Sequence, residues 1–137
     1  MDLRGVGVWI DSSQDARCFW VTYKGSTTLH PLHGYCPPGP SQESWDLRTQ
    51  SNGVALDNDE YLVGIVFRHD DYVKAVRFYT NKRTLPWIGP ANAGSREVGF
   101  TAPSGNMIIG FIGRAGEKLD GLGVIYAPCT ADKKPCR

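Results

Sequence analysis

The sequence predicts an all-β domain, and three observations lead there. Apolar and polar residues alternate in several short runs, which is the period of a half-buried strand. Turn-forming residues separate those runs at roughly 8–12-residue spacing. Glycine (16) and proline (9) are plentiful, and no stretch keeps a helical period. Eight or more short strands in this rhythm fit a sandwich, a barrel or a prism.

Gly5 to Ile10 is the first run, with Val6, Val8 and Ile10 on one face. Asp11 to Asp15 is a polar turn, and Arg17 to Tyr23 follows with Phe19, Val21 and Tyr23 sharing a face. Trp9 and Trp20 fall opposite those faces, where exposed indoles would mark a partner surface. Lys24-Gly25-Ser26 ends the second strand. His33 to Ser44 contains Gly34, Pro37, Pro38, Gly39 and Pro40 and reads as one long surface loop. Glu60 to Phe67 reads as a strand, Arg68 to Asp71 as a turn, and Tyr72 to Thr80 as the next strand. Asn81 to Thr84 turns the chain again. Val98 to Thr101 is a short strand, Asn106 to Ile112 an apolar buried one, and Leu122 to Ala127 the last. Gly113 to Asp120 reads as the loop before that last strand. No internal repeat is visible. The expected organisation is one domain over residues 1–128 with a tail over 129–137.

Composition narrows the function. The chain has 137 residues, 41% hydrophobic and 21% charged, which suits a single globular core. Fifteen Lys and Arg against fourteen Asp and Glu leave a net charge of +1, so general basicity does not point to nucleic acid. No apolar run approaches the ~20 residues of a membrane span. Met1 to Ile10 lacks a signal peptide's apolar core. Four cysteines (Cys18, Cys36, Cys129 and Cys136) allow three pairings; paired, they place the chain outside the cell, and reduced, in the cytoplasm. His30, His33 and Cys36 have a spacing that zinc accepts, but the prolines between and after them favour ordinary loop residues, so no metal and no cofactor is expected. Glu117 with Asp120, or Asp57 with Glu60, are the carboxylate pairs a glycosidase would need. No Gly-x-Ser-x-Gly elbow or phosphate-binding glycine loop accompanies them, and the chain reads as non-catalytic.

The second half carries a more specific pattern. Asp59-Glu60-Tyr61-Leu62-x-Gly64-Ile65 precedes Val76-x-Phe78-x-Thr80-Asn81-Lys82-Arg83-Thr84. Ile109-Gly110-Phe111-Ile112-Gly113-Arg114-Ala115-Gly116 and Leu119-Asp120-x-Leu122-Gly123-Val124 follow. This order and spacing resembles the jacalin-related lectins over about residues 57–128, roughly half the chain. The resemblance implies a β-prism of three antiparallel sheets about a pseudo-threefold axis. It implies binding of mannose- or galactose-type hexoses through a Gly-x-x-x-Asp loop, here Gly116-Glu117-Lys118-Leu119-Asp120. The amides of Glu117 and Lys118 and the Asp120 carboxylate would hold sugar hydroxyls, and Asp70 and Asp71 would contribute from a second loop. Lys82 and Arg83 lie in the matched turn and read as structural. Chains of this family usually begin with a glycine-rich loop and a first strand ahead of the segment matching Leu3 to Ile10. Here that first strand is missing or replaced, with the tail from Cys129 as one replacement.

The chemistry suits such a ligand. A hexose presents hydroxyls that both donate and accept. A carboxylate accepts from two vicinal hydroxyls with charge-assisted strength, and adjacent amides supply the matching donors. Each hydrogen bond nets about 1 kcal/mol, so one shallow site binds near the millimolar range, about −4 kcal/mol, and useful avidity needs several copies. Glu117 and Lys118 stand where family members often carry aromatic side chains, and Tyr72 is a neighbouring ring. The expected partners are glycans or glycoproteins, with appended domains or a homo-oligomer left open. The alternative is a structural or protein-interaction prism that has lost sugar binding.

Overall fold

The computed structural model describes residues 3–10, 16–23, 30–34, 53–90, 92–115 and 119–129. Nine strands account for most of them: β1 (Leu3–Ile10), β2 (Ala16–Tyr23), β3 (His30–Gly34), β4 (Gly53–Ala55), β5 (Leu62–His69), β6 (Val73–Thr80), β7 (Arg96–Thr101), β8 (Asn106–Ala115) and β9 (Leu119–Pro128). No helix occurs among the described residues, so none is long and apolar enough to cross a membrane. The strands form three antiparallel sheets, ordered β3-β2-β1-β4, β6-β5-β7 and β8-β9.

Each sheet turns one face inward, as the alternation predicts. Val6 and Val8 of β1, Phe19 and Val21 of β2, and Ile65 and Phe67 of β5 are all buried in one apolar core. At its centre each sheet contributes one phenylalanine. Phe19 from β2, Phe78 from β6 and Phe111 from β8 meet with ring centroids 5.9, 4.6 and 6.2 Å apart. Edge-to-face and tilted rings of this kind add to the area they bury. Trp20, expected on an exposed face, is fully buried. Its indole fills the space beside Gly7 on the paired strand, and a Cβ at Gly7 would come within 2.0 Å of the ring.

Three sequence readings need correction, the first being the turn expected from Arg68, since Arg68 and His69 continue β5 and pair with both neighbouring strands. His33 and Gly34 belong to β3 rather than to the long loop, and Pro31 sits in the same strand. β3 is the edge of its sheet, where proline and glycine are tolerated because one row of backbone groups faces away from the ladder. β8 also runs on to Ala115 and β9 begins at Leu119, so the expected Gly113 to Asp120 loop shrinks to residues 116–118.

The matched Thr80-Asn81-Lys82-Arg83-Thr84 turn is tied down by a buried charge. Glu60 is 2% exposed. Its carboxylate accepts from Arg83 Nε at 2.7 Å and Nη2 at 2.9 Å, from Thr80 Oγ1 at 2.7 Å and from the Asp57 amide at 3.0 Å. Arg83 Nη2 also donates to Ala55 O at 3.1 Å, so the first and second sheets are joined at this corner. Asn81 closes the same corner, accepting from the Tyr61 amide and donating to Asp59 O. Beyond the turn, the chain runs back along the outer edge of β6, exchanging backbone hydrogen bonds between Val76 and Ile88 and giving one from Leu85 to Phe78. That edge is thereby covered.

Burial by itself would raise the Glu60 pKa; the hydrogen bonds from Arg83, Thr80 and Asp57 overcome it and lower it from 4.5 to about 2. A folded pKa below the unfolded one stabilises the fold at pH above the unfolded value and is lost as pH falls through the folded value. Glu60→Gln therefore lowers stability by ~2–3 kcal/mol at neutral pH in a urea titration. The gap to wild type narrows between about pH 4.5 and 2, where the wild-type carboxyl takes up its own proton. Phe19→Ala removes a ring from the three-sheet contact and costs ~3–5 kcal/mol at every pH in that titration.

Candidate functional site

The candidate residues lie in two hairpin ends. The first is the turn between β5 and β6, residues Asp70, Asp71 and Tyr72. The Asp70 amide donates to Tyr72 O at 3.1 Å, closing the turn, and His69 Nδ1 lies 2.9 Å from Asp70 O. Asp71 is exposed, and Tyr72 is 41% exposed at the tip.

Asp70 is held by a neighbour that sequence reading did not single out. Its Oδ1 accepts from the Ser95 amide at 2.9 Å and from Ser95 Oγ at 2.8 Å. The Ser95 hydroxyl and amide hold the Asp70 carboxyl below the usual aspartate range. Arg68, in β5 just before this turn, donates from Nε to Ala93 O at 3.2 Å and from Nη2 to Gly94 O at 3.1 Å. Its Nη1 reaches Glu97 at 3.1 Å. Gly94 has φ of +83°, and a Cβ there would lie 2.7 Å from His69 N. Only glycine adopts that backbone so close to another strand without strain. The segment entering β7 is thus fastened to the β5–β6 turn by Arg68 and Asp70, and its sequence signal is Gly94-Ser95 just before β7. Asp70 serves this fastening with one carboxylate oxygen.

The second hairpin end joins β8 to β9. Gly116, Glu117 and Lys118 lie outside the described residues. Asp120 stands within β9 and not in a free loop. The ladder pairs Arg114 with Gly121 and then Ala115 with Leu119, so it skips Asp120. Asp120 is the extra residue of a β-bulge, which interrupts the ladder and sharpens the local twist.

The other candidates separate from these. Glu60 spends its carboxylate on Arg83, Thr80 and the Asp57 amide, while Asp57 is exposed. A buried carboxylate bound on both oxygens is not placed to protonate a glycosidic oxygen. His30 and His33 lie in β3 and Cys36 lies outside the described residues; among the described residues no three His, Cys, Asp or Glu group to hold a metal ion. Cys129 is disulfide-bonded, and its amide donates to Gly105 O at 2.9 Å beside the end of β9.

Known proteins place the chain. The sequence profile of the jacalin-like lectin domain matches residues 6–125. PYK10-binding protein 2 of Arabidopsis thaliana is 36% identical over 81 residues, covering 58% of this chain and 26% of that protein. A mannose/glucose-specific lectin of Parkia platycephala is 36% identical over 92 residues, covering 60% of this chain and 20% of that one. The chain therefore spans roughly a fifth to a quarter of the length of these relatives. Among solved structures, Calystegia sepium agglutinin superposes with a TM-score of 0.70 at 22% identity, over 94% of this chain and 84% of that one. Three antiparallel sheets around one core and this neighbour together identify the architecture as the β-prism. With the profile spanning nearly every strand, the chain belongs to the jacalin-like lectin family.

Proposed function

We propose that this chain is a non-catalytic carbohydrate-binding module for mannose- or galactose-type hexoses. Its site combines the Gly116-to-Asp120 hairpin end with the Asp70–Asp71 turn. The observation that carries this reading is the bulge at Asp120. It sets one carboxylate-bearing residue out of the ladder beside a three-residue connection, in a family of lectins. The amides of Glu117 and Lys118 would donate to sugar oxygens, and Asp120 would accept from two vicinal hydroxyls.

The topology supports convergence of the two hairpin ends. β7 starts beside the Asp70 turn, with Arg96 opposite His69, and runs to Thr101 opposite Gly64. Residues 102–105 then turn the chain into β8. Ten residues of strand span about 33 Å, so a β8 returning along the prism brings its far end back toward Asp70. Asp71 and Tyr72 are then the exposed groups nearest the ligand, and Asp70 positions the turn through Ser95. Relatives named for mannose, the Parkia lectin among them, favour mannose-type sugars as the first to try. The disulfide at Cys129 suits an oxidising compartment.

A glycan array tests the reading. Wild type is expected to bind mannose- or galactose-bearing glycans, and Asp120→Ala to lose them, since each charge-assisted bond is worth ~1.5–3 kcal/mol against a weak site. Asp70→Ala, which frees the Ser95 segment without removing the main acceptor, is expected to retain the same glycans at roughly three- to tenfold lower affinity, about 1 kcal/mol. Binding that survives Asp120→Ala moves the site elsewhere. Silence from a folded wild type favours the protein-interaction prism instead.

A further inference from the structure

The outer face of the second sheet carries chemistry that the hairpin ends do not use. Arg77 and Tyr79 alternate with buried Val76 and Phe78 along β6, so both point away from the core. Gly64 stands between Tyr79 and Thr101 in one cross-strand row, and Val66 between Arg77 and Gly99 in the next. Gly64 and Gly99 bring no side chain to this face. The floor they leave bare is a trough of about 330 Å³, lined by Val66, Tyr79 and Thr101. Tyr79 stands close beside it, with Cδ2 3.6 Å from where a Cβ on Gly64 would lie. That volume is at the small end for clefts that hold one small molecule.

Next to Tyr79 sits a cation held in place without a counter-ion. The Arg77 guanidinium lies 5.9 Å from the Tyr79 ring centre and 5.7 Å from that of Trp87. Its Nε donates to Leu85 O at 3.0 Å. Arg68 on β5 and Arg83 after β6 pair with Glu97 and Glu60. Arg77 has no carboxylate partner among the described residues, and neither of its terminal nitrogens gives a hydrogen bond there. Two rings and one backbone bond order the side chain before any ligand arrives. What remains free is a planar pair of donors, the geometry that takes a carboxylate bidentately.

We propose that this face binds an acidic sugar, a hexuronate residue of a glycan, at a site separate from the hexose site of the hairpin ends. The carboxylate takes the terminal nitrogens of Arg77, and the sugar ring lies against Tyr79 over the bare glycine floor. The exposed Thr101 meets one ring hydroxyl with its own. The unpaired cation selects an acid, and the aromatic ring with the valine beside it selects a partly apolar body. The trough is open on its outer side, which leaves the other hydroxyls of a pyranose in water. Gly64 is five residues of strand from His69, about 17 Å, so the trough and the Asp70 turn are separate positions.

Titrating isotope-labelled protein with methyl β-glucuronide, and with methyl β-glucoside as the neutral control, tests this apart from hexose binding. The glucuronide is expected to shift the amides of Gly64, Val66, Arg77, Tyr79 and Thr101. It is expected to bind there at least about tenfold more tightly than the glucoside, the effect of one charge-assisted pair. Arg77→Gln is expected to remove that advantage, and Thr101→Val to weaken binding about two- to fivefold, with near-ultraviolet circular dichroism unchanged. Raising salt weakens the glucuronide and leaves the glucoside as it was. If Arg77→Gln fails to fold, Thr101→Val and the salt series decide. Equal affinity for the two sugars overturns the proposal, as do glucuronide shifts confined to residues 70–72 and 116–121. No shift in the trough at millimolar glucuronide overturns it too, and so does benzoate binding there as tightly as the glucuronide.

Discussion

The prism depends on three phenylalanines meeting where its three sheets face one another. Phe19, Phe78 and Phe111 come from strands far apart in sequence, and their rings touch within 4.6 to 6.2 Å. No pair of these sheets buries its inner face without the third. A sheet that loses its ring leaves a cavity against both others, and interiors this closely packed relax only in part. The contact is long-range, so the chain gains it only after most of its loops have closed.

Around that contact the corners decide what the surface can do. Glu60 costs desolvation, and it is retained in a setting where every oxygen is bound and Arg83 spans two sheets. A rigid corner there leaves β5 and β6 to carry the Asp70 turn at their other end. Arg68 and Ser95 then fix the segment entering β7 against that turn. The Asp70 half of the candidate sugar site is thus a hairpin end on fastened strands, the arrangement in which loops hold ligands most reproducibly.

Alternation made the inner faces legible: Val6 and Val8, and Phe19 and Val21, are buried as their period requires. The family was legible too, because the turn at Thr80 to Thr84 and the glycine-rich run before Asp120 carry geometry rather than composition. β3 was missed because Pro31 and Gly34 argue against a strand, and only the edge position makes them acceptable. Glu60 read as part of a strand because a charge gives no sign of its partner, and that partner, Arg83, lies 23 residues on. Trp20 reads as a surface residue from alternation alone because Gly7, the space it fills, is visible only once β1 and β2 are in register. At the candidate site the bulge at Asp120 is not legible in the sequence, since register depends on both strands at once. Ser95 gave no chemical signal until the fold set it beside Asp70.

The proposed hexose site lies at the end of the prism where the Asp70 turn and the Asp120 bulge would meet. Titrating methyl α-mannoside and methyl α-galactoside into isotope-labelled protein, with amide chemical shifts followed residue by residue, tests that most directly. One of the two sugars is predicted to shift amides at residues 116–121, 70–72 and 95 together, with a single affinity. Shifts confined to the opposite end, around residues 102–105, or split between the two hairpin ends with different affinities, would contradict it.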